Sequence, residues 1–405
     1  MCGCYCMKMR ILHIAGGKGG ARLAAESLVS AQNAHKELEA FIVSKEKLSS
    51  VQGLVSSILG KTYTYVQRGF INQPYEFMST YSFSNLSSDK ILSYYPDVVH
   101  IHNWFNLLGM DQMEQLGRKL PLVFTMHDQR LITGGCHVTY GCKNFTQGCN
   151  SCPAVKVGQG AVEKSKLKLE KILADVDNFG IVTPSRWLMD DLGNSKISKN
   201  AKVVANIPNV IAPNFFQGEI SQVIETPQNF KILFVAALFN EPLKGLDILI
   251  DAINDLVKKQ GAKNLDVELS VIGTGNETKQ PDFKISYLGR LSSEELKALM
   301  SKHDLCVVPS RADNVPSVVS EAQLSGLAVL GSNIGGIPEL ISDNSTGLLC
   351  NPTRESIVLG IERFLALTDI KKANLRKNAR EVASLRNSTS RIVQEHLNLY
   401  EALLK

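Results

Sequence analysis

Hydrophobic and polar positions follow one recurring order along this chain. Short apolar runs predict strands over 9–15, 38–43, 97–102, 122–126, 180–183 and 201–205. A second series follows over 230–237, 265–273, 285–288, 305–308 and 328–330. Stretches with helical spacing lie between them, over 21–34, 75–94, 161–176, 241–260 and 292–302, with a last one near 390–404. Pro184 and Ser185 open a further helix, and Ser292 with Glu295 reads as a capping box. Strands alternating with helices are the grammar of a parallel α/β sheet. Residues 44–73 are poorly patterned and predict a mobile loop, and the Pro- and Asn-rich stretch 206–229 separates the two series. The pattern predicts two doubly wound domains, 7–205 and 230–385, with a linker at 206–229 and a terminal helix at 386–405.

The densest chemistry lies between Pro309 and Glu339. Strand 305–308 runs into a polar turn holding Asp313, Asn314, Val315, Pro316 and Ser317, and a short helix carrying Glu321 ends near Gly326. Strand 328–330 leads to Gly335-Gly336-Ile337-Pro338-Glu339. Ligands of parallel sheets sit at the carboxyl ends of the strands, and both loops fall on that edge. Pro316 suits an early helical position, because it has no N–H to leave unpaired. The free N–H groups of that first turn, with the helix dipole, favour an anion. Glu321, a turn or two further along, can accept from both hydroxyls of a ribose. Gly336 and its neighbour let backbone approach a ligand with no Cβ in the way. Jointly these features describe a nucleotide diphosphate carrying another group. Singly, the acids read as solvated caps and the glycines as a turn.

The first series adds three candidate places. Gly16 to Gly20 follows the first strand, without the Gly-Lys-Ser/Thr of a phosphate loop and without dinucleotide spacing. Strand 97–102 ends in His100-Ile101-His102-Asn103, with the two histidines on one face and a core role expected for at least one. Strand 122–126 ends in His127-Asp128, again at the functional edge. Cys136, Cys142, Cys149 and Cys152 then fall within the loop 128–153. In a reducing compartment this spacing reads as a metal site, and four thiolates suit one structural zinc. Disulfides, an iron–sulfur cluster and free buried cysteines are the alternatives. In 161–176, Val162, Leu169, Ile172 and Leu173 share one face, with Lys164, Lys166, Lys168 and Lys171 around it. That is a solvated helix, or alternatively one lying on an anionic membrane.

Composition narrows the classes. The 405 residues, 44% apolar and 20% charged, suit globular domains with real cores. No run approaches the ~20 apolar residues of a membrane span. Residues 1–9 lack an apolar stretch of signal-peptide length, so a cytoplasmic location is expected. Cys2, Cys4 and Cys6 precede Met7 and Met9 and read as a leader. The net charge of +5 is uneven: residues 1–215 carry 23 Lys+Arg against 16 Asp+Glu, and residues 216–405 carry 21 against 23. A basic first half suits an anionic substrate or membrane surface. Nucleic acid is not expected as a partner, since no basic-aromatic binding motif is present.

Asp313-x7-Glu321, followed by Gly335-Gly336-Ile337-Pro338-Glu339 and Thr346-Gly347-Leu348-Leu349, resembles the donor site of retaining glycosyltransferases of family four. These have the GT-B fold, two Rossmann-like domains facing across a cleft. The family's first acid is Glu; Asp313 is one methylene shorter. The resemblance implies that Glu321 holds the ribose and Asp313 orients the donor sugar, with Asn314, Val315, Pro316, Ser317 and Gly336 around the nucleotide sugar. It implies that Lys244 binds the diphosphate, where a companion arginine is replaced by Ala236 or Ala237. Gly19-Gly20-Ala21 resembles the family's donor-facing glycine loop. His127 would contact the sugar near the bond being broken, with Asp128, His102 and Asn103 on the acceptor side, and the terminal helix would cross back to the first domain. Thr125-x-His127-Asp128, Thr133-Gly134-x-Cys136 and Cys149-x2-Cys152-Pro153 are similar to a bacterial surface-polysaccharide (colanic-acid-type) subgroup. The expected activity is therefore hexosyl transfer with retention, from a UDP- or GDP-linked sugar to a hydroxyl of a lipid-linked glycan. It would occur at the inner face of the membrane, without a catalytic divalent ion. A nucleotide-sugar epimerase and a non-catalytic sugar-nucleotide binder are the other readings.

Overall fold

The structure, a computed structural model, describes residues 8–16, 19–44, 71–72, 86–105, 107–218, 229–260, 266–277 and 281–405. The expected mobile loop and most of the expected helix 75–94 lie largely outside these residues. The chain divides into two compact units, residues 1–210 with 389–405, and residues 211–388.

In the first unit, strands β1 (Met9–Ala15), β2 (Leu38–Val43), β3 (Val98–Asn103), β4 (Leu122–Thr125), β5 (Phe179–Thr183) and β6 (Val203–Asn206) form one parallel sheet in the order β2-β1-β3-β4-β5-β6. Helix α1 (Gly20–Asn33) follows β1. Within the described part of the expected 75–94, helix α2 covers Ser88–Leu92. It stops because the chain turns at Tyr95, whose φ is +49°, ahead of Pro96, and a residue before proline is kept out of helical backbone. Helix α3 (Met110–Gly117) was not anticipated; Met113 and Leu116 bury its inner face. Helix α4 (Gln159–Ala174) buries Val162, Leu169, Ile172 and Leu173 as its pattern predicts. It also buries Lys166, which pairs with Glu170, while Lys168 pairs with Asp111 at 2.6 Å. Two of its four lysines are therefore already engaged. Ser185 caps helix α5 (Arg186–Gly193) through the Leu188 N–H.

The second unit repeats the scheme. Strands β7 (Asn229–Leu238), β8 (Asp266–Thr274), β9 (Lys284–Tyr287), β10 (Leu305–Val308), β11 (Ala328–Ser332) and β12 (Leu348–Cys350) pair in parallel in the order β12-β11-β10-β7-β8-β9. Helices α6 (Leu246–Gln260), α7 (Ser293–Met300), α8 (Ser317–Leu324), α9 (Ile337–Leu340), α10 (Arg354–Leu365) and α11 (Asp369–Arg386) connect and cover it. The Ser292–Glu295 capping box forms at the start of α7. Two apolar clusters lie in this unit, one built on Phe230, Ile232 and Leu249, the other on Leu233, Val319 and Val329.

The 206–229 stretch is not a uniform spacer. Ile207 and Val210 are buried in a cluster of the first unit, whereas Ile211 and Phe215 are buried in one of the second. Lys297 donates to the carbonyls of Asn214 and Gln217, each at 2.6 Å, and so ties the start of the second unit to α7. Residues 219–228 lie outside the described set. The last helix, α12 (Thr389–Leu404), belongs to the first unit, where Ile392, Leu397, Leu399, Tyr400 and Leu403 pack with Ile11, Val98 and Val182.

Both sheets change direction once. In the first, β1 has β2 on one side and β3 on the other. In the second, β7 lies between β8 and β10. Connections leave such a strand pair in opposite directions, and the crevice beyond their carboxyl ends is where open α/β sheets bind ligands.

Candidate functional site

In the second unit, the residues past the switch point are held together by charge. The loop after β7 carries Lys244, and the loop after β10 carries Asp313. Lys244 Nζ donates to Asp313 Oδ2 at 2.8 Å, and Ser310 Oγ donates to the same oxygen at 3.2 Å. Burial works against the Lys244 cation, but Asp313, with Glu241, outweighs it and raises the ammonium's pKa. Arg311 fastens the same two loops, through its N–H to the Leu243 carbonyl at 2.7 Å and its guanidinium to Asp247.

The glycine loop closes on this pair from β11. Gly335 has φ +59°, and a Cβ there would stand 1.9 Å from the Asp313 carbonyl oxygen. Gly336 donates its N–H to that carbonyl at 3.2 Å. The double glycine thus lets one loop rest directly on the backbone of the other. Gly245, φ +75°, is as tight against the Pro309 carbonyl, at 2.3 Å from an added Cβ.

Helix α8 begins beside Asp313. Its first helical residue is Ser317, so Pro316 occupies the N-cap rather than the first turn, one position earlier than expected. No side chain caps this end. Asn314 and Val315 lie in the turn leading to it. Glu321 lies one turn along, half-buried, and burial pushes its carboxyl up to about 7 from 4.5. An acid held this far above its ordinary range pays for desolvation without a compensating cation. Ala236 is buried and Ala237 exposed at the end of β7, so neither supplies the second cation of the expected diphosphate clamp.

In the first unit, Gly16 is demanded by packing, because a Cβ would meet the Phe105 carbonyl at 2.7 Å. Gly19 and Gly20, at the start of α1, have open space where a Cβ would stand. Gly17 and Lys18 lie outside the described residues.

His127 and Asp128 follow β4, and the structure gives them different surroundings. Asp128 caps a short 3-10 turn over Gln129–Leu131 and receives the Arg130 guanidinium at 2.7–3.0 Å. Burial raises its pKa, but Arg130 and His137 overcome this and hold it at about 2. Arg130 is buried, sits over Trp104 and Phe105, and donates to Asn103 at 3.3 Å. Arg130 stands in no motif; its role comes from the turn that folds it back on Asp128. His127 is half-buried, and its Nε2 lies 3.0 Å from His102 Nδ1. Burial lowers its pKa to about 4, Arg130 adding to the effect and Asp128 opposing it.

Behind His127 lies a set of polar side chains that the sequence reading largely missed. His100 and His102 are both fully buried on one face of β3, joined by His13 from β1, which the parallel register sets opposite His100. One ring nitrogen of each lies within 4.8 Å of those of the other two. Gln32 of α1 and Tyr400 of α12 complete the set. The signal available in the sequence was parity alone: His100, His102, Thr125 and His127 are even steps along their segments.

Cys136, Cys142, Cys149 and Cys152 line one cavity of about 20 Å³, with Thr133, Phe145 and Ala154. None is in a disulfide. The Cys136 thiol donates to Cys152, which lowers the Cys152 thiol's pKa, helped by the N–H groups of Ala154 and Val155 against burial, and raises that of Cys136. Cys149 receives the Gly134 N–H, although burial raises its pKa overall. Backbone donors aimed at sulfur suit thiolate ligands. The Cys136 and Cys152 thiols contact each other, and Cys142 and Cys149 lie on the same cavity wall.

Residues 229–366 match the family described as glycosyl transferases group 1. An uncharacterized glycosyltransferase of Methanocaldococcus jannaschii is 23% identical over 330 residues, 76% of each chain. An uncharacterized protein in the cps region of Klebsiella pneumoniae is 27% identical over 248 residues, 59% of this chain and 66% of its own length. Sucrose-phosphate synthase of Thermosynechococcus elongatus has a similar fold, with TM-score 0.64 at 16% identity over 97% of this chain and 98% of that one. HepE of Anabaena, solved with UDP and glucose, gives 0.58 at 16% identity over 96% and 98%.

The raised Glu321 carboxyl makes a stability prediction. The folded state binds this proton more tightly than the unfolded chain, so its stabilising effect is complete below about 4.5 and is lost as pH rises towards 7. Glu321→Gln should therefore gain stability over the native chain as pH rises, by about 1–3 kcal/mol at pH 8. Urea melts of both proteins from pH 5 to 8 test this; a pH-independent difference would contradict it.

Proposed function

We propose that this chain, whose residues 229–366 match the group 1 glycosyl transferases, moves a hexosyl group with retention from a nucleotide diphosphate sugar to a hydroxyl of a growing glycan. The observation that carries the reading is the Lys244–Asp313 pair at the switch point, beside an uncapped helix start and the half-buried Glu321. A diphosphate needs a cation and free N–H donors, and a ribose needs an acceptor one turn further on. As the bond to the sugar breaks, negative charge grows on the leaving diphosphate. Lys244 and the first-turn N–H groups of α8 would stabilise that charge. Asp313 keeps Lys244 in place and orients the sugar, Glu321 accepts from the ribose hydroxyls, and Asn314, Val315, Ser317 and Gly336 bound the nucleotide sugar. Gly19 and Gly20 offer room on the first unit. His127 acts beside the anomeric centre. Asp128, bound to Arg130, serves the acceptor side as a fixed negative charge. No side chain is assigned as a nucleophile; the leaving phosphate takes the acceptor proton.

UDP or GDP is the expected carrier, and HepE, of similar fold, was solved with UDP and glucose. Release of UDP and of GDP, measured over a panel of sugar donors with and without acceptor, tests the activity; an epimerised donor formed without acceptor would favour an epimerase instead. His127→Ala is expected to lower turnover at least about 100-fold with donor affinity nearly unchanged. An unchanged turnover number would remove His127 from the chemistry.

The acceptor we propose is a lipid-linked surface glycan of the colanic-acid type. The similar Klebsiella protein is encoded in a cps region, and the first 215 residues carry the basic excess. Among the described residues no helix is long and apolar enough to cross a membrane, so the contact would be peripheral. Lys166 and Lys168 are already paired, so the attraction should be modest. Sedimentation with anionic vesicles at low salt, weakening as salt rises, is expected. No binding at low salt would point to a soluble acceptor.

We assign one structural zinc to Cys136, Cys142, Cys149 and Cys152. The shared cavity and the N–H donors on Cys149 and Cys152 support it, and four thiolates suit a tetrahedral ion at about 2.3 Å. The ion would order the loop that follows His127. Protein purified without chelator should carry about one zinc per chain. Four freely titrating thiols in a metal-free, active protein would refute the site.

A further inference from the structure

Helices α8 and α9, one carrying Glu321 and the other following Gly336, share one clamp. Its centre is Arg386, which ends α11, the last helix of the second unit. One arm of the guanidinium, Nη1, donates to the Leu340 carbonyl at 3.2 Å. The other, Nη2, donates to Ser320 Oγ at 3.1 Å and to Gln323 Oε1 at 2.7 Å. Gln323 in turn donates from Nε2 to the same Leu340 carbonyl at 2.8 Å and to that of Thr346 at 3.4 Å. Ser320 and Gln323 are buried. Leu340 is the last residue of α9, so its carbonyl has no acceptor role within that helix. The Ser342 N–H donates to Thr346 Oγ1 at 2.8 Å and shapes the turn between them.

The direction of each bond follows from the chemistry of its two ends. A guanidinium only donates and a backbone carbonyl only accepts. Gln323 therefore keeps Oε1 towards Arg386 and Nε2 towards the two carbonyls. Turning the amide over would set N–H against N–H at one end and oxygen against oxygen at the other. Burial lowers the Arg386 pKa to about 10, so the group is still a cation at neutral pH. Its planar fork reaches two helices at once, whereas a lysine ammonium has no second arm. Ser320 and Gln323 stand three residues apart on one face of α8. Glu321 projects from another side, roughly 100° round the helix from Ser320. A side chain that grips the Ser320–Gln323 face therefore sets the rotation of α8, and with it where Glu321 points. It also sets α8 against α9, which begins directly after the double glycine. Helix α8 has eight residues and no side-chain cap at its start, and so short a helix depends on tertiary contacts.

We propose that Arg386 is a positioning residue for the donor site: its guanidinium fixes α8 against α9 and so holds Glu321 where a ribose can meet it. The ribose in this statement rests on the nucleotide-sugar reading of Glu321; the clamp does not. Arg386 acts through Gln323 and Ser320, on the face of α8 away from Glu321. Losing the fork would leave the strands and the Lys244–Asp313 pair in place, while α8 and α9 lost their common anchor.

Amide hydrogen exchange tests the clamp without any ligand. Arg386→Met keeps an apolar stem and removes the fork. In it the α8 amides should exchange at least about tenfold faster, with those of β7 and β8 unchanged. Uniform acceleration across the unit, or native rates in α8, would overturn the proposal. Calorimetry with UDP and GDP reads the consequence for the site. Affinity for the nucleotide that binds should fall at least about fivefold in Arg386→Met, and by a smaller factor when Glu321→Gln is already present. Equal factors in the two backgrounds would overturn the positioning of Glu321. Should Arg386→Met not fold, Arg386→Lys keeps the charge without the second arm and should show the same selective exchange and the same coupling; native behaviour there contradicts the clamp. Selective exchange in a chain that binds neither nucleotide would uphold the clamp and refute the nucleotide-sugar reading alone.

Discussion

A parallel sheet must receive every strand from the same end, so every connection crosses back over a face. When the strand order reverses, the connections leave a neighbouring pair of strands on opposite faces and open a crevice beyond their carboxyl ends. Each unit of this protein obeys that constraint once, between β1 and β3 and between β7 and β10. The residues with unusual chemistry follow from it. Lys244 and Asp313 lie beyond β7 and β10, and His102 and Asn103 end β3. Lys244 and Asp313 would not meet if the strand order ran in sequence.

The second unit shows how such a crevice stays polar without collapsing. Lys244 is stabilised by Asp313, and the shorter acid still reaches it at 2.8 Å. Glu321 receives no such compensation and its pKa rises to about 7. A buried acid left in this state costs stability, and sites that retain such costs are candidates for ligand binding. In the first unit the opposite solution is used. Seven buried or half-buried side chains satisfy one another in a single chain, so a polar layer between sheet and helices carries little penalty.

Much of this was legible in the sequence, for physical reasons. Strand pattern, the capping box at Ser292 and the apolar face of α4 are local signals, and local signals survive without tertiary context. The loops around Asp313 and Gly336 were legible because glycine and proline constrain the backbone directly. Other features were not. Helix α2 ends at Leu92 rather than at Tyr94, because the chain turns at Tyr95 ahead of a proline, a boundary that periodicity does not mark. Arg130 and Gln32 carry no pattern of their own. Their partners, Asp128 across a tight turn and Tyr400 some 368 residues away, exist only in the fold. Lys166 read as a solvated charge because its burial depends on how α4 lies against the sheet rather than on the helix sequence.

We propose that the crevice beyond β7 and β10 holds a nucleotide diphosphate through Lys244 and Glu321. Calorimetric titration of UDP and GDP into the native chain, Lys244→Ala and Glu321→Gln measures it most directly. One of the two nucleotides should bind the native chain, and each variant should lose about 1.5–3 kcal/mol of binding free energy, the worth of a charge-assisted hydrogen bond. Equal affinity in all three proteins, or no binding of either nucleotide to the native chain, would contradict the account.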